Sequence, residues 1–342
     1  MGGVEYYRMM MPNHILSLNN PEFEFTTVEG EILRHDELTK TSERVYNPAT
    51  KQTEVVMTSE KVSTDDYLKQ FDVIHFCRQI DIYGQTTIVD RLNRLGIPFG
   101  LDLDDYWHLP EYHIIYEDYK IYNTPQAVID SIKAAHFVTC TTPIIAREIE
   151  QYNKNVFVIE NGIDTNQESW QPDFVRKERL RFGFFQGSTH LEDIKHCAQG
   201  VVELYKNKKY KDKFQVILMG FMARPDEPSP FIGYEWALTD KLKVLNEPYQ
   251  AYLKRCVFEG SDQYFNEPYV RVWQTEVDNW GLTYNLADIS VIPLLNNRFN
   301  RSKSELKLIE AGVKGKACIV SDTQPYKLLA NDSNSFLAKK PI

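Results

Sequence analysis

Two lysines and a glutamate at helical spacing suit the chemistry of a phosphorylated ligand. Lys303, Lys307 and Glu310 follow i, i+4, i+7 spacing and would share one face of a helix. Ser302 and Glu305 match a capping box, which predicts that this helix begins at Lys303. The amide groups and positive dipole end of the helix suit a diphosphate, the lysines would balance its charge, and the carboxylate could accept hydrogen bonds from ribose hydroxyls. The alternative is a solvent-exposed row of Lys–Glu pairs on an ordinary helix.

A strand–helix–strand segment must position these residues. Residues 287–294 and 317–322 are apolar and predict a strand on each side of the helix. Leu306, Ile309 and Val313 recur at helical spacing, so we expect them to form its buried face. The start of the helix would then point up from the edge of the first strand.

Three aspartates, which follow a predicted strand in the first half of the chain, are the candidate catalytic residues. We expect Asp102, Asp104 or Asp105 to orient an acceptor hydroxyl or polar sugar groups. Two alternatives stay open, which are an aspartate-rich helix cap and a divalent metal site, since three carboxylates suit hard cations. His75 ends another predicted strand, and it either reaches the same edge or is a hydrogen-bonded core histidine.

The order of the predicted elements indicates an α/β protein. Short apolar strands alternate with amphipathic helices, which predicts parallel sheets. A helix over 82–95 should end at Gly96. The predicted strands are 71–76, 97–103, 135–141 and 156–160 in a first series, and 180–187, 213–220, 255–260, 287–294 and 317–322 in a second.

Two such series predict two Rossmann-like domains that face each other across a cleft. The turn NGID (161–164) marks the boundary, which gives an N-terminal domain over 1–165 and a C-terminal domain over 166–342. Residues 22–60 break the rhythm and predict an insertion, in which EFEFTTVEG pairs with TEVVMTSE around NPATKQ.

Composition excludes several classes of protein. A net charge of −9 over 342 residues argues against general binding of a nucleic-acid backbone. No run approaches the roughly 18 apolar residues of a membrane span, and the N-terminus lacks the pattern of a signal peptide. The five cysteines are scattered and never spaced as CxxC, which suits the cytoplasm and argues against structural zinc.

The segment 287–322 resembles the C-terminal signature of GT-B glycosyltransferases. The pattern ADISVIPL, then KSELKLIEA, then GKACIVS is most similar to the large retaining family that includes bacterial mannosyltransferases and sucrose synthase. The resemblance implies that Glu310 contacts the ribose of a sugar nucleotide. It assigns the binding of this substrate to Ser302, Lys303, Ser304, Lys307 and Glu310. That family often has a glutamate at the position of Ser302.

The loop after the strand 180–187 resembles the phosphate loop of the same family. There, small residues let the backbone approach the diphosphate, and Gly187 and Ser188 match them. Many relatives follow this strand with an arginine and a lysine, whereas this chain has His190 and Asp193. His190 could donate to phosphate. The alternative is a tight turn with Asp193 in the first turn of a helix.

The N-terminal segment GGVEYYRMMMP resembles the loop that, in GT-B enzymes, lies beside the acceptor and the phosphates. Adjacent glycines before a helix allow the backbone to approach a ligand. Gly2, Gly3, Tyr7 and Arg8 are the candidates, with Arg8 as an anion contact. The alternative is a flexible terminus. Only Met1 precedes this segment, so we expect either a compact member of the family or a fragment.

The resemblance implies a glycosyltransferase, either hexosyl or pentosyl, that moves a sugar from a nucleoside diphosphate-sugar to a hydroxyl acceptor with retention. The acceptor would be a glycan or a lipid-linked molecule, with nucleic acid ranked below them. No cofactor and no metal are expected, and the protein would be cytoplasmic, either free or peripheral at a membrane. A sugar-nucleotide epimerase and a catalytically inactive sugar-binding protein are the alternatives.

Overall fold

The computed structural model describes residues 3–28, 30–40, 43–47, 52–56, 60–172, 178–186, 188–210, 212–221, 243–244, 269–273, 277–327, 329–331 and 333–339. The predicted strand 255–260 and two candidate site residues, Gly2 and Gly187, lie outside these ranges.

The described β-strands, in chain order, are β1 (Glu37–Lys40), β2 (Glu43–Asn47), β3 (Gln52–Val56), β4 (Glu60–Ser63), β5 (Ile74–Cys77), β6 (Phe99–Leu103), β7 (Phe137–Cys140), β8 (Val156–Val158), β9 (Leu180–Phe185), β10 (Phe214–Phe221), β11 (Lys243–Val244), β12 (Tyr269–Trp273), β13 (Ile289–Ile292), β14 (Ala317–Ser321) and β15 (Ser335–Ala338). The described α-helices are α1 (Gly3–Glu5), α2 (Met11–Asn19), α3 (Thr64–Leu68), α4 (Thr87–Leu95), α5 (Tyr116–Ile121), α6 (Thr124–Ala134), α7 (Pro143–Ile149), α8 (Leu191–Lys206), α9 (Trp280–Thr283), α10 (Arg298–Arg301), α11 (Leu306–Val313) and α12 (Gln324–Lys327). A π-helix covers Tyr6–Met10, and 3₁₀ turns cover Gly30–Arg34, Glu168–Trp170, Ser188–His190, Val277–Asn279 and Tyr284–Leu286.

The chain divides into two compact units. The C-terminal unit comprises Met1–Met11, His108–Glu117 and Glu160–Ile342, and the N-terminal unit comprises Pro12–Trp107 and Asp118–Ile159. The first residues of the chain therefore group with the C-terminal unit, whereas the sequence pattern assigns them to the first domain.

The N-terminal unit contains a four-stranded parallel sheet in the order β5–β6–β7–β8. Helices α4, α6 and α7 lie in the connections between successive strands, which makes three βαβ repeats. Ile88 and Leu92 of α4 are fully buried, and Gly96 ends this helix with a left-handed φ of 70°. The α/β class and the stop at Gly96 are confirmed.

The insertion over 22–60 pairs differently from the prediction. Strand β3 pairs with β2, and β4 pairs with β1, both antiparallel. Residues 22–28 form no regular structure and are exposed, so the predicted pairing of EFEFTTVEG was wrong. The segment ERVYN (β2), which is nearer in the sequence, pairs with β3 instead, because two adjacent strands need only a short turn between them.

The C-terminal unit contains a seven-stranded parallel sheet in the order β11–β12–β10–β9–β13–β14–β15. The chain proceeds from β9 to β10 in one direction and later returns to place β13 on the other side of β9. The strand order therefore reverses between β9 and β13. In open α/β sheets, ligands bind beyond the carboxyl ends of the two strands that flank such a switch point.

The segment after β13 forms two helices where the sequence pattern predicts one. The side chain of Asn297 accepts a hydrogen bond from the amide of Asn300 at 2.9 Å and caps the short helix α10. Ser302 then lies at the end of α10, where its hydroxyl donates to the carbonyl of Arg298 at 2.9 Å. The predicted start at Lys303 was wrong, because asparagine is as good an N-cap as serine and comes earlier. Helix α11 begins at Leu306.

The buried face of α11 also differs from the prediction. Leu308, Glu310 and Ala311 are buried, whereas the three apolar residues expected there are only half-buried, namely Leu306, Ile309 and Val313. Glu310 can be buried because hydroxyl groups from other segments satisfy its carboxylate. Apolar spacing alone does not reveal such partners.

In the part of the chain that the structure describes, no helix combines the length and the apolar character that crossing a bilayer requires.

Candidate functional site

The switch point of the C-terminal sheet brings together the residues that follow β9 and β13. His190 belongs to the 3₁₀ turn after β9, while Lys303 and Lys307 belong to the segment after β13. Burial lowers the pKa of His190, Asp193 raises it, and Lys303 and Lys307 lower it again. His190, Lys303 and Lys307 are called the basic cluster below. Two distant parts of the sequence thus supply cationic or hydrogen-bonding groups at the edge where a ligand is expected.

Aromatic rings support both ammonium groups of the basic cluster. The Nζ atom of Lys303 lies 4.5 Å from the ring centroid of Phe299, and Nζ of Lys307 lies 5.7 Å from that of Trp280. Burial lowers the pKa of Lys307, Glu310 raises it, and Lys303 lowers it further. An anion bound here would offset the repulsion between the two lysines.

Asp193 connects His190 to the loop that follows β13. Its Oδ2 atom lies 2.8 Å from Nδ1 of His190. Its Oδ1 atom accepts hydrogen bonds from the amide of Leu295 at 2.8 Å and from Nδ2 of Asn300 at 2.9 Å. Asp193 is only 3% exposed, so these bonds fix the orientation of its carboxylate and of the imidazole. The alternative of a tight turn with Asp193 in the first turn of a helix fits the structure, since Asp193 lies in the first turn of α8.

The carboxylate of Glu310 is buried and held by two tyrosines. Oε1 accepts a hydrogen bond from the hydroxyl of Tyr7 at 3.0 Å, and Oε2 accepts one from Tyr284 at 2.7 Å. Burial, followed by the charge of Glu310, raises the pKa of both tyrosines, so both hydroxyls stay protonated and donate. Tyr284 also stacks on Phe185 of β9, with a centroid distance of 3.8 Å.

The N-terminal segment packs within the C-terminal unit through three consecutive residues. Tyr6, Tyr7 and Arg8 lie in the π-helix and are buried. The hydroxyl of Tyr6 accepts a hydrogen bond from Nε2 of Gln167 at 2.6 Å. The alternative of a flexible terminus does not fit these contacts. π-helical turns are frequent at functional sites.

Arg8 is joined to Ser304 through the turn NGID. Its Nη1 atom donates to Oδ1 of Asn161 at 3.3 Å, and Nδ2 of Asn161 donates to the hydroxyl of Ser304 at 2.8 Å. Asn161 therefore connects two predicted site residues, although the sequence pattern gives this turn only a boundary role.

The remaining glycine and serine candidates are placed as follows. A Cβ atom on Gly3 would meet no atom within 4 Å, so no described protein atom requires a glycine there. Ser188 opens the 3₁₀ turn that contains His190. Ser302 is buried, and its hydroxyl donates to a carbonyl of the preceding helix.

The three aspartates of the N-terminal unit separate into two environments. Asp102 is buried within β6 and accepts a hydrogen bond from the hydroxyl of Thr139 at 2.5 Å. His75 lies 3.2 Å from the same hydroxyl, and because that hydroxyl donates to Asp102, Nε2 of His75 is the donor. His75 is exposed at the sheet surface, which contradicts the alternative of a core histidine. A buried and bonded Asp102 favours a structural role for this residue.

Asp104 and Asp105 lie beyond the carboxyl end of β6 and are half-buried. The carboxylate of Asp104 lies 3.7 Å from Nε of Arg78. The next helix, α5, begins only at Tyr116, so the alternative of a helix cap was wrong. Among the described residues, no three histidine, cysteine or acidic side chains come together as metal ligands.

Two neighbours of these aspartates were missed by the sequence pattern. Arg78 follows β5 directly and has a positive φ of 71°, a strained conformation for arginine that is more common at functional sites. Burial raises the pKa of Tyr119, Arg78 lowers it, and Asp105 and Asp104 raise it again. The aspartates are predicted as polar residues that directly follow a strand, and Arg78 fits the same pattern. Nothing in the sequence marks Tyr119.

Comparison with known proteins gives structural matches only, since neither a protein-family model nor a curated protein matches. The chain is similar to sucrose-phosphate synthase from Thermosynechococcus elongatus, at 14% identity and a TM-score of 0.48, over 80% of this chain and 61% of that one. It is similar to the trehalose-6-phosphate synthase OtsA, at 10% identity and a TM-score of 0.47, over 81% and 64%. It is also similar to a UDP-forming α,α-trehalose-phosphate synthase from Burkholderia vietnamiensis, at 10% identity and a TM-score of 0.46, over 81% and 66%.

The chain spans less than two thirds of the length of these solved structures. They are GT-B glycosyltransferases, the class that the sequence resembles. At such identities and TM-scores the matches carry no argument about chemistry, so the chemistry of this chain rests on its own residues.

Proposed function

We propose that this protein is a glycosyltransferase that moves a sugar from a nucleoside diphosphate-sugar to a hydroxyl acceptor. The observation that carries the proposal is that His190, which is bonded through Asp193 to the loop after β13, and the two lysines of the segment after β13 lie at the switch point of the C-terminal sheet. Clustered cations at this edge of an open α/β sheet suit a diphosphate. Retention of stereochemistry comes from the sequence resemblance.

The basic cluster would bind the diphosphate and stabilise it as it leaves. Negative charge grows on the bridging oxygen when the bond to the sugar breaks, and fixed cations near it lower the barrier. The first amides of α11 have no acceptor within their helix and could add hydrogen bonds. The lysines are already held on aromatic rings, so little reorganisation is needed when the ligand arrives.

Glu310 would accept hydrogen bonds from the ribose, as the resemblance implies. Tyr7 and Tyr284 orient its carboxylate, and each carboxylate oxygen has a second lone pair for a further donor. Arg8, linked through Asn161 to Ser304, would add positive charge beside the phosphates.

Asp104 and Asp105, with Arg78 and Tyr119 beside them, would orient the acceptor. Carboxylates accept hydrogen bonds from sugar hydroxyls, and arginine binds an anionic or polyhydroxyl group. We propose a glycan or a lipid-linked acceptor, because the net charge of −9 disfavours nucleic acid. The transferred sugar would be a hexose or a pentose, with no cofactor and no metal, and the enzyme would act in the cytoplasm.

Binding of sugar nucleotides tests the proposal directly. A ligand that binds the folded state raises the melting temperature, so UDP-, GDP-, ADP-, CDP- and TDP-sugars are compared by thermal shift. Lys303→Met and Lys307→Met should each weaken the binding of the ligand that gives the largest shift.

Lys209→Met is the matched control. Lys209 also has its ammonium group over an aromatic ring, that of Tyr210, but it precedes β10 and so lies at the amino edge of the same sheet. This variant should bind as the wild type does. If Lys303→Met and Lys307→Met bind the ligand as tightly as Lys209→Met and the wild type do, the proposed function is refuted.

A further inference from the structure

The bonding of Asp193 determines which nitrogen of His190 can meet a ligand. The carboxylate lies 2.8 Å from Nδ1, and it can only accept, so Nδ1 carries a proton. Nε2 is therefore the nitrogen that remains for a ligand. In the neutral ring Nε2 is an acceptor, and in the charged ring it is a donor.

A diphosphate offers only acceptors to Nε2. Ionised phosphate oxygens cannot donate, so a hydrogen bond with Nε2 requires the imidazolium form of His190. Asp193 favours this form, because its charge stabilises an imidazolium. Since Leu295 and Asn300 hold the other carboxylate oxygen, Asp193 cannot turn to let the ring adopt the opposite tautomer.

Burial and the two lysines oppose the protonation of His190 when no anion is present, whereas Asp193 favours it. Burial lowers its pKa first, Asp193 raises it, and Lys303 and Lys307 lower it again. Asp193 also raises the pKa of three neighbours that stay neutral near pH 7, which are Tyr112, Cys197 and Tyr326. A bound diphosphate would add negative charge against the whole basic cluster and reverse the balance at His190.

We propose that His190 takes up one proton from solvent when the diphosphate of a sugar nucleotide binds, and that Asp193 is the positioning residue for this step. The inference rests on the proposed function. The imidazolium then donates Nε2–H to a phosphate oxygen, and the proton returns to solvent when the nucleotide leaves. A titratable histidine thus performs here the task for which many relatives use permanently charged side chains.

The linkage between protons and binding has a definite sign. Binding raises the pKa of His190, so affinity is complete below the pKa of the free protein. It falls as pH rises, by up to about tenfold per pH unit, until pH passes the pKa of the complex. UDP-glucose and GDP-mannose are suitable probes, because each phosphate of a sugar nucleotide has one ester and one anhydride bond and so keeps no group that titrates in this range.

Calorimetry in buffers of different ionisation enthalpy measures the number of protons taken up. The wild type should take up between zero and one proton, with a maximum that depends on pH. His190→Gln keeps a hydrogen-bond donor and leaves Asp193 bonded to its loop, so it should bind with no proton uptake and no dependence on pH.

Asp193→Asn separates positioning from support of the fold. Its amide can donate to Nδ1, which would place the proton of a neutral ring on Nε2, so binding should persist at high pH while proton uptake disappears. A purely structural role would weaken binding by the same factor at every pH. Should this variant fail to fold, His190→Gln still decides the question.

The outcomes separate the two proposals. If neither probe nor any other sugar nucleotide binds the wild type at any pH, the proposed function fails. If a probe binds without proton uptake, or if both variants take up as much as the wild type, only the coupling through His190 is overturned.

Discussion

Removing the hydroxyl of Tyr284 should destabilise the C-terminal unit by a measurable amount. The hydroxyl donates to Oε2 of Glu310 at 2.7 Å, and Glu310 is only 1% exposed. Tyr284→Phe leaves a buried carboxylate oxygen without this donor. Hydrogen bonds to charged groups contribute about 1.5–3 kcal/mol, so we expect the free energy of unfolding to fall by that amount.

Thermal melting followed by circular dichroism measures the change. A unit of this size loses about 2–4 °C per kcal/mol, so the melting temperature should fall by roughly 3–12 °C. Tyr7→Phe should cost less, because its hydrogen bond to Oε1 is longer, at 3.0 Å. The double variant should differ from the sum of the two, since both hydroxyls act on one carboxylate.

The effect should also depend on pH in a defined way. Burial raises the pKa of Tyr284 above its ordinary value of 10, so at any pH below 10 its hydroxyl is protonated and donates to Glu310. Above pH 10 the hydroxyl of Tyr284 ionises in the unfolded chain before it does so in the folded protein. The difference in the free energy of unfolding between wild type and variant should therefore shrink. Tyr210→Phe is the control, because Tyr210 is exposed and its loss should change stability by less than about 0.5 kcal/mol. If Tyr284→Phe melts with the control, Glu310 is not held in this way.

Three further outcomes are expected. Cys77, which is half-buried, should react with iodoacetamide before Cys197 and Cys318, because burial raises the pKa of each of those two thiols to about 12. A mass-spectrometric time course measures the order, and modification of Cys197 or Cys318 before Cys77 would contradict their burial. Arg78→Ala should raise KM for the acceptor by up to about fivefold and leave the affinity for the sugar nucleotide unchanged. Weaker binding of the sugar nucleotide with an unchanged KM for the acceptor would show that Arg78 is not part of the acceptor site. Gly96→Ala should lower stability by about 1 kcal/mol in urea unfolding, because φ at this position is 70°, and an unchanged midpoint would argue against the left-handed turn.

Much of the fold, and part of the candidate site, can be predicted from the local pattern of apolar and polar residues. Eight of the eleven described strands in the two sheets lie within a few residues of predicted positions, because a buried parallel strand is a short apolar run with a sharp end. Strands β11, β12 and β15 were not predicted. Residues placed directly after a strand, such as His190, lie where the prediction put them. This rule needs only local information.

The remaining features depend on which of two possible N-cap residues starts a helix, or on hydrogen-bond partners that lie far away in the sequence. Asn297 and Ser302 both offer an N-cap within six residues, and propensity does not choose between them. Burial of Glu310 depends on Tyr7, which is 303 residues away in the chain. Lys314, which is fully buried, likewise donates to carbonyl groups of Ser169 and Gln171. No spacing within α11 reveals any of these partners.

The bond between Tyr7 and Glu310 has a consequence for how the chain is made. It closes a loop of about 300 residues, for which chain entropy alone opposes closure by roughly 5 kcal/mol. Tyr7 leaves the ribosome 303 residues before Glu310, so this bond can form only after Glu310 has emerged. The C-terminal unit cannot complete its own interior until then. A fragment that begins at Glu160 would retain all the strands of the C-terminal sheet and still lack the hydroxyl that this carboxylate needs.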